Sequence, residues 1–324
     1  MTGIVIVSYN SADVLGRALT ACLRLANVEI VVVDNASADG SAEIARRYAE
    51  VKVIANKSNR GFAAGSNQGI CALPHCSAVL LLNPDAEPLR GIDELAGVVL
   101  SPGVGAAGGR LLSQNGSTQT GFNVRRLPSP EALACEVLGV NRIFPRNPWN
   151  RSWRMAGFNP DRPADVEQPA GAFLMLNREA WSAVGRLDEQ FHPAWFEDVD
   201  LCVRLKQAGY VIRYVPDAVA RHLGGHSASS LEWHKRQLFW YNNLLRFAAK
   251  HYSAAGRRLV AAAVMLGSVP RSLSALIIGR SPGSVSVYIE VFRAAWAAFC
   301  ASRGARHDYV GLPSPREENR AKRI

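Results

Sequence analysis

Three carboxylate clusters and one histidine in this 324-residue chain have the types and positions to do chemistry. Asp34 closes the apolar run EIVVV (29–33) and is followed by Asn-Ala-Ser-Ala-Asp-Gly-Ser. A carboxylate at the end of a buried strand can accept hydrogen bonds from a base N–H or a ribose hydroxyl. Asp39 and Ser41 in the same stretch are good helix-capping residues, which leaves a purely structural reading open. Asp85, in Asn83-Pro84-Asp85, follows AVLLL (78–82). One carboxylate there suits a divalent cation bridging a diphosphate, since Mg2+ or Mn2+ takes one or two carboxylates plus phosphate oxygens. An ordinary Asn-Pro-Asp turn is the alternative. Glu197, Asp198 and Asp200 lie beside Trp195 and Phe196. In the first turn of a helix their charge is favoured by the dipole, and an aromatic-walled Asp can act as a general base; plain charge capping is the rival explanation. His222, in Arg-His-Leu-Gly-Gly-His-Ser, can ligate a metal through its neutral imidazole or serve structure alone.

The elements that would position these groups follow from the apolar pattern. Ile4–Ser8, Glu29–Val33, Val51–Ile54 and Ala78–Leu82 are short, β-branched or leucine-rich runs that read as buried strands. Between them 12–25, 41–48 and 64–71 have helical composition, with Ser11 placed to cap the first. Strand and helix alternating at this spacing predict βαβ units in an α/β fold with a mostly parallel sheet flanked by helices. Ligands bind such sheets at the carboxyl ends of the strands. Tyr9-Asn10, Asp34-Asn35, Asn56 to Asn67 and Asn83-Pro84-Asp85 all fall there. Residues 113–168, rich in Gly, Pro, Asn, Arg and Trp, read as a long irregular connection of the kind that is functional or mobile. Regular structure is expected again at 172–176, 178–184 and in one long helix over 231–252.

With 48% hydrophobic and 20% charged residues the composition is that of a globular protein, which excludes wholesale disorder, collagen and coiled coil. The net charge of +10 is uneven. Residues 1–240 hold 24 Lys/Arg against 23 Asp/Glu, whereas 241–324 hold 13 against 4. This is a near-neutral body with a basic end suited to an anionic surface, not a nucleic-acid-binding chain. Within that end, 259–278 and 285–300 are apolar stretches broken by Pro270, Arg271, Glu290 and Arg293. Arginines at 257, 258, 271, 280 and 293 suit helices lying in a membrane interface; ordinary packed helices and a true span are the alternatives. The tail 302–324 reads as disordered. Six cysteines without CxxC pairs read as free thiols; Cys71 and Cys76 lack a second pair to complete a metal site. Met1-Thr-Gly runs straight into a strand without a basic leader, which points to the cytoplasm.

The order of these pieces resembles the inverting family-2 glycosyltransferases of the GT-A fold, and within them the bacterial rhamnosyltransferases that extend lipid-linked glycans. The matching stretches are VIVSYN (5–10), VVVDNASADGS (31–41), NRGFAAGSNQG (59–69), LLNPDAE (81–87), PAGAFLMLNREAW (169–181), GRLDEQFHPAWFEDVDLCVRLKQAGY (185–210) and HLGGHS (222–227). The resemblance spans 3–252, which implies a catalytic domain over 1–252 followed by basic apolar helices over 253–301. It implies that Asp34 contacts the nucleoside and that Ser8, Asn59, Gly61 and Asn67 line the nucleotide pocket. Asp85 matches the last acid of the family's DXD motif, with Asn83 replacing the first, so Asp85 and His222 become the ligands of Mg2+ or Mn2+. Gly171, Trp195 and Glu197 fall near the sugar and acceptor, and Asp198 matches the catalytic base.

By the same resemblance the donor is a nucleotide-sugar, dTDP-rhamnose ahead of a UDP-sugar, and the acceptor a saccharide on a polyprenyl diphosphate in cell-envelope polysaccharide synthesis. The enzyme would then sit peripherally on the cytoplasmic face of an anionic membrane, as a monomer or a homo-oligomer. A nicotinamide oxidoreductase is disfavoured because Ser8-Tyr9-Asn10, not G-x-G-x-x-G, follows the first strand. A non-catalytic sugar-nucleotide-binding or scaffold protein of the same fold is the remaining alternative.

Overall fold

The computed structural model of the chain describes residues 1–224, 232–277 and 283–301; the expected tail and His226 lie outside the described residues. The chain opens with β1 (Thr2–Ser8), α1 (Ala12–Cys22), β2 (Val28–Asp34), α2 (Ser41–Arg46), β3 (Val51–Ala55), α3 (Phe62–Cys71) and β4 (Ala78–Leu82). The expected alternation is therefore present. α1 stops short of Leu25 because Arg24 and Leu25 donate to carbonyls three residues back, tightening the end of the helix, before Asn27 turns the chain at a positive φ of 54°. Next come β5 (Ala86–Arg90), α4 (Ile92–Val99) and β6 (Val104–Leu112).

Residues 113–168 are less irregular than their composition suggests. They contain β7 (Val124–Arg125), α5 (Pro130–Val137), α6 (Val140–Ile143), α7 (Pro148–Trp153) and β8 (Ala164–Asp165). α5 forms because Ser129 accepts a hydrogen bond from the Ala132 N–H at 3.2 Å and Pro130 occupies the first helical turn, where its missing N–H costs nothing. The remaining elements are β9 (Gln168–Pro169), β10 (Phe173–Asn177), α8 (Arg178–Ala183), α9 (Glu197–Gln207), β11 (Val211–His222), α10 (Trp233–His251), α11 (Ala254–Ile277) and α12 (Gly283–Cys300).

Two compact units result. In the first (1–127, 154–193 and 197–224) the sheet runs β3-β2-β1-β4-β10-β6-β11-β5, with β8 beside β11. β3, β2, β1 and β4 are parallel, as is the β6–β11 pair; β10 enters antiparallel between β4 and β6, and β5 and β8 are antiparallel to β11. Strand alternation fills two cores. Ile4, Ile6, Ile30 and Val32 face Leu15 and Leu19 of α1, while Val5, Val7, Val31 and Val33 face Ile70 of α3 and Trp181 of α8. With both faces covered, these strands read as continuous apolar runs.

The second unit gathers 128–153, 194–196 and the described residues from 232. α5 packs on α11, and α11 pairs with α12. Two arginines expected to face a membrane are instead turned inward. Arg271 donates to the carbonyls of Val137, at the end of α5, and Gly267, while Arg257 is buried and donates to the Ala301 carbonyl just beyond α12. A cation against exposed terminal carbonyls complements the negative end of a helix. Among the described residues no helix is long and apolar enough to cross a membrane.

Candidate active site

The carboxyl ends of β1, β2 and β3 are laced together: Ser8 pairs with Asp34 and Asp34 with Ala55, and the N–H groups of Asn35 and Asn56 donate to the carbonyls of Ser8 and Asp34 at 2.8 Å each. Asp34 is buried, and both its oxygens accept from Ser37, Oδ1 from the N–H at 3.0 Å and Oδ2 from the hydroxyl at 2.6 Å. Ser37 thereby fixes the plane of the carboxylate. Asn10 clamps this turn, taking the Ala38 N–H on its Oδ1 at 2.8 Å. Ser11 occupies the N-cap of α1 but does not cap it with its side chain, which donates to the Tyr9 carbonyl. Asp39 caps α1 instead, accepting from Ala12 N–H at 2.8 Å. Ser8 is fully buried and its Oγ has no hydrogen-bond partner.

The loop before α3 forms the next wall. Asn59 Oδ1 accepts from the Gly61 N–H at 2.8 Å, and Asn35 Nδ2 donates to the Gly61 carbonyl at 3.0 Å. Gly61 adopts φ 84°, and a Cβ there would meet His192 Nδ1 at 2.8 Å, so this position needs glycine on both counts. Asn67 behaves differently from the expectation. Its Nδ2 donates to the Leu187 carbonyl at 2.9 Å and to Glu189 at 3.1 Å, while its Oδ1 accepts from Trp181 Nε1 at 3.3 Å and Leu187 N–H at 3.1 Å. With donors and acceptor engaged, Asn67 is an internal brace holding 187–189 to α3, not a nucleotide contact.

Asp85 and His222 meet across the rim. β11 pairs with β5 so that His222 lies opposite Ala86, and His222 Nε2 faces Asp85 Oδ1 at 3.5 Å. Both are almost fully buried, and both facing atoms lack a hydrogen-bond partner. Burial works to raise the Asp85 pKa, but the His222 ring and the Gly224 N–H, which donates to Oδ2 at 3.1 Å, outweigh it and hold the carboxyl below its usual value. The other nitrogen of the ring is also fixed. Nδ1 lies 3.1 Å from Gln119 Oε1, and Gln119 Nε2 donates back to the His222 carbonyl at 2.8 Å. An amide oxygen accepts only, so Nδ1 donates to Gln119, and the ring is held with Nε2 turned towards Asp85. Phe122 stacks on the same ring at 5.4 Å, 9° from parallel. Two orphaned, buried N/O donors fit a divalent cation whose other ligands are phosphate and water oxygens. No group of three or more protein ligands occurs among the described residues.

Glu197, Asp198 and Asp200 occupy the first turn of α9 as the sequence predicts, but their environments diverge. Asp200 is fully buried and paired with Arg204 at 2.7 Å. Glu197 is buried, and its carboxyl is pushed well above the usual range by burial and then by the Asp198 charge. Asp198 is half-buried, with Oδ1 taking the Val199 N–H at 2.8 Å and Oδ2 the Gly171 N–H at 3.3 Å. Burial raises its pKa; those N–H groups and the Arg125 charge offset that only in part. Of the three, Asp198 alone is less than fully buried. Trp195 belongs to the second unit, half-buried at φ 76°.

Gln119, Phe122 and Arg125 were not legible in the sequence. They come from a single stretch that β6 orders, through Asn123 Oδ1 accepting from the Leu111 N–H at 3.1 Å. Arg125 lies over the Phe122 ring at 5.4 Å, so one short segment reaches both the His222 ring and, through the Arg125 charge, Asp198.

Known proteins share this chain's sequence pattern and fold. The Glycosyl transferase family 2 profile matches residues 3–158, and the Glycosyl transferase family group 2 profile matches 150–305. The chain is 30% identical over 308 residues to the N-acetylglucosaminyl-diphospho-decaprenol L-rhamnosyltransferase of Mycobacterium tuberculosis, covering 86% of this chain and 98% of that one. It is 27% identical to the pre-mycofactocin glycosyltransferase of the same species, over 92% and 58% of the two chains. A crystal structure of GalNAc-T7 with UDP, GalNAc and Mn2+ superposes with a TM-score of 0.52 at 15% identity, over 69% of this chain and 43% of that one, and so shares the fold. Together the profiles and the full-length relative establish that this chain belongs to the family-2 glycosyltransferases, built on a GT-A-type α/β fold.

Proposed function

We propose that the chain is a metal-dependent, inverting rhamnosyltransferase-type enzyme that moves a sugar from a nucleoside-diphosphate donor to a hydroxyl of a polyprenyl-diphosphate-linked saccharide in cell-envelope polysaccharide synthesis. dTDP-rhamnose is the favoured donor and a UDP-sugar the next. The observation that carries the reading is the Asp85–His222 pair, two buried atoms facing each other at 3.5 Å, neither with a hydrogen-bond partner. The name of the mycobacterial relative supports both the rhamnosyl donor and the diphosphate-lipid acceptor.

In this reading Asp34, held by Ser37, receives the nucleoside, with Ser8, Asn59 and Gly61 beside it. Asp85 and His222 would hold Mg2+ or Mn2+, which would supply positive charge to offset that developing on the departing diphosphate. Gly171 and the Asp198 carboxylate border the reacting centre, with Glu197 behind them as a buried support and Trp195 assigned to the acceptor. As the acceptor oxygen forms its bond to the anomeric carbon, Asp198 takes the hydroxyl proton and the bond from that carbon to the diphosphate oxygen breaks. One displacement inverts the centre, and no covalent enzyme intermediate is needed. An acceptor on a polyprenyl diphosphate places the enzyme peripherally at the cytoplasmic face of an anionic membrane.

Calorimetric titration with dTDP and with UDP, each with and without Mn2+, tests the donor site. Metal-dependent binding of one nucleotide that disappears in Asp85→Ala supports the reading. Well-folded protein that binds neither nucleotide overturns it.

A further inference from the structure

The second unit contains a surface that the site does not use. Between Glu136 and Asp161 the sequence has no acidic residue but four arginines. Within this stretch Ile143, Phe144 and Trp149 are 70%, 66% and 47% exposed, and Arg142, Arg146 and Arg151 are exposed around them. Large apolar side chains that protrude together among cations mark an interaction site.

The protrusion is built. Asn147 Nδ2 donates to Asn141 Oδ1 and to the Phe144 carbonyl, both at 2.8 Å, and its Oδ1 accepts from the Asn150 N–H at 2.9 Å. Asn150, itself buried, donates to the Pro145 carbonyl at 2.7 Å, and Asn141 donates to Glu136 at 2.6 Å. Three asparagines thus satisfy the turn internally and keep the Ile-Phe pair and Trp149 from folding inward. The charge is equally available, since none of Arg142, Arg146 and Arg151 takes part in an ion pair among the described residues. Arg257 and Arg271 on the C-terminal helices, by contrast, are spent on backbone carbonyls.

We infer that residues 142–151 form the membrane-docking surface, with Ile143, Phe144 and Trp149 entering the headgroup–acyl boundary and Arg142, Arg146 and Arg151 meeting anionic lipid phosphates. This inference rests on the membrane-linked acceptor proposed for the site. An aliphatic side chain beside two aromatic ones suits the acyl boundary, where every apolar carbon contributes, better than it suits base stacking. A ring of arginines complements the negative potential of an anionic leaflet.

The test uses the full-length protein and phosphatidylcholine vesicles with or without phosphatidylglycerol. The wild type should sediment with the anionic vesicles. Ile143→Ser/Phe144→Ser/Trp149→Ser should bind them at least about tenfold more weakly. Arg142→Gln/Arg146→Gln/Arg151→Gln should lose about a hundredfold and its dependence on phosphatidylglycerol. The substituted side chains are exposed, so thermal unfolding midpoints should match the wild type. Wild-type vesicle binding by either variant overturns the inference, as does tighter binding to single-stranded DNA than to anionic vesicles. Titration with dTDP and Mn2+ in the same preparations separates the two readings. If vesicle binding fails while nucleotide binding persists, only the surface falls; loss of nucleotide binding in the wild type removes the donor-site reading instead.

Discussion

The backbone N–H of Gly171 points at Oδ2 of Asp198, 3.3 Å away, and a methyl group on Gly171 would sit 3.0 Å from that oxygen and 3.2 Å from the Asp198 Cβ. Glycine at 171 is therefore a condition for the position of the Asp198 carboxylate. Gly171→Ala should displace the carboxylate and lower kcat about tenfold to a hundredfold, since small misplacements of a reacting group carry costs of that order. Nucleotide affinity measured by calorimetry should stay unchanged.

Asp198→Asn keeps the shape and removes the basicity. It should lower kcat by about a hundredfold or more, the range of general-base catalysis. Binding of dTDP with Mn2+ should be retained, and retained transfer would assign the base to another residue.

The acidic limb of the pH–rate profile follows from the same carboxyl. Asp198 accepts a proton only when ionised, and its pKa is raised by burial despite the Val199 N–H, the Arg125 charge and the Gly171 N–H. Activity should therefore fall as pH drops through a pKa higher than that of an exposed aspartate. Arg125→Gln removes a charge that favours the ionised form, so the limb should move to still higher pH, and Arg125→Lys should move it back. The profile of kcat/KM against pH reads both.

Gln119 orients a proposed metal ligand without touching the metal. Gln119→Ala frees the His222 ring and should weaken Mn2+ binding about tenfold to a hundredfold, the usual consequence of losing such a partner. Titration of free Mn2+ by electron paramagnetic resonance measures this without turnover, and an unchanged affinity would reduce Gln119 to a packing role.

Asn67→Ala leaves the Trp181 indole N–H and both backbone groups of Leu187 without their partner. It should destabilise the fold by about 2–3 kcal/mol in urea unfolding. The folded variant should bind dTDP as the wild type does, whereas a nucleotide-contacting asparagine would show the reverse pattern.

Sequence pattern revealed β1, β2 and β4 because strands buried on both faces carry uninterrupted apolar runs, and it placed Asp34, Asp85 and Asp198 because strand ends and a helix start are locally encoded. Three of its failures share one cause. Asn67 looks like any site asparagine until its four hydrogen bonds are seen, three of them to residues 120 or more positions away. Gln119 acquires meaning only beside His222, 103 positions on. Arg257 and Arg271 sit on apolar helices as membrane-facing arginines would, and only tertiary packing turns them onto carbonyls. α6 and α7 were hidden for a different reason, being short and rich in Asn, Pro and Arg.

The carbonyl that ends α5 is met by Arg271, 134 positions later, and the Pro128 carbonyl by Tyr252, 124 positions later. During synthesis the chain therefore releases 128–153 long before the residues that hold it exist. This segment must wait, unsupported, while the strands on either side of it in sequence are still being assembled. A chain that ended between α10 and Arg271 would keep the whole sheet but leave 128–153 without its Arg271 partner, a species suited to chaperones and proteases.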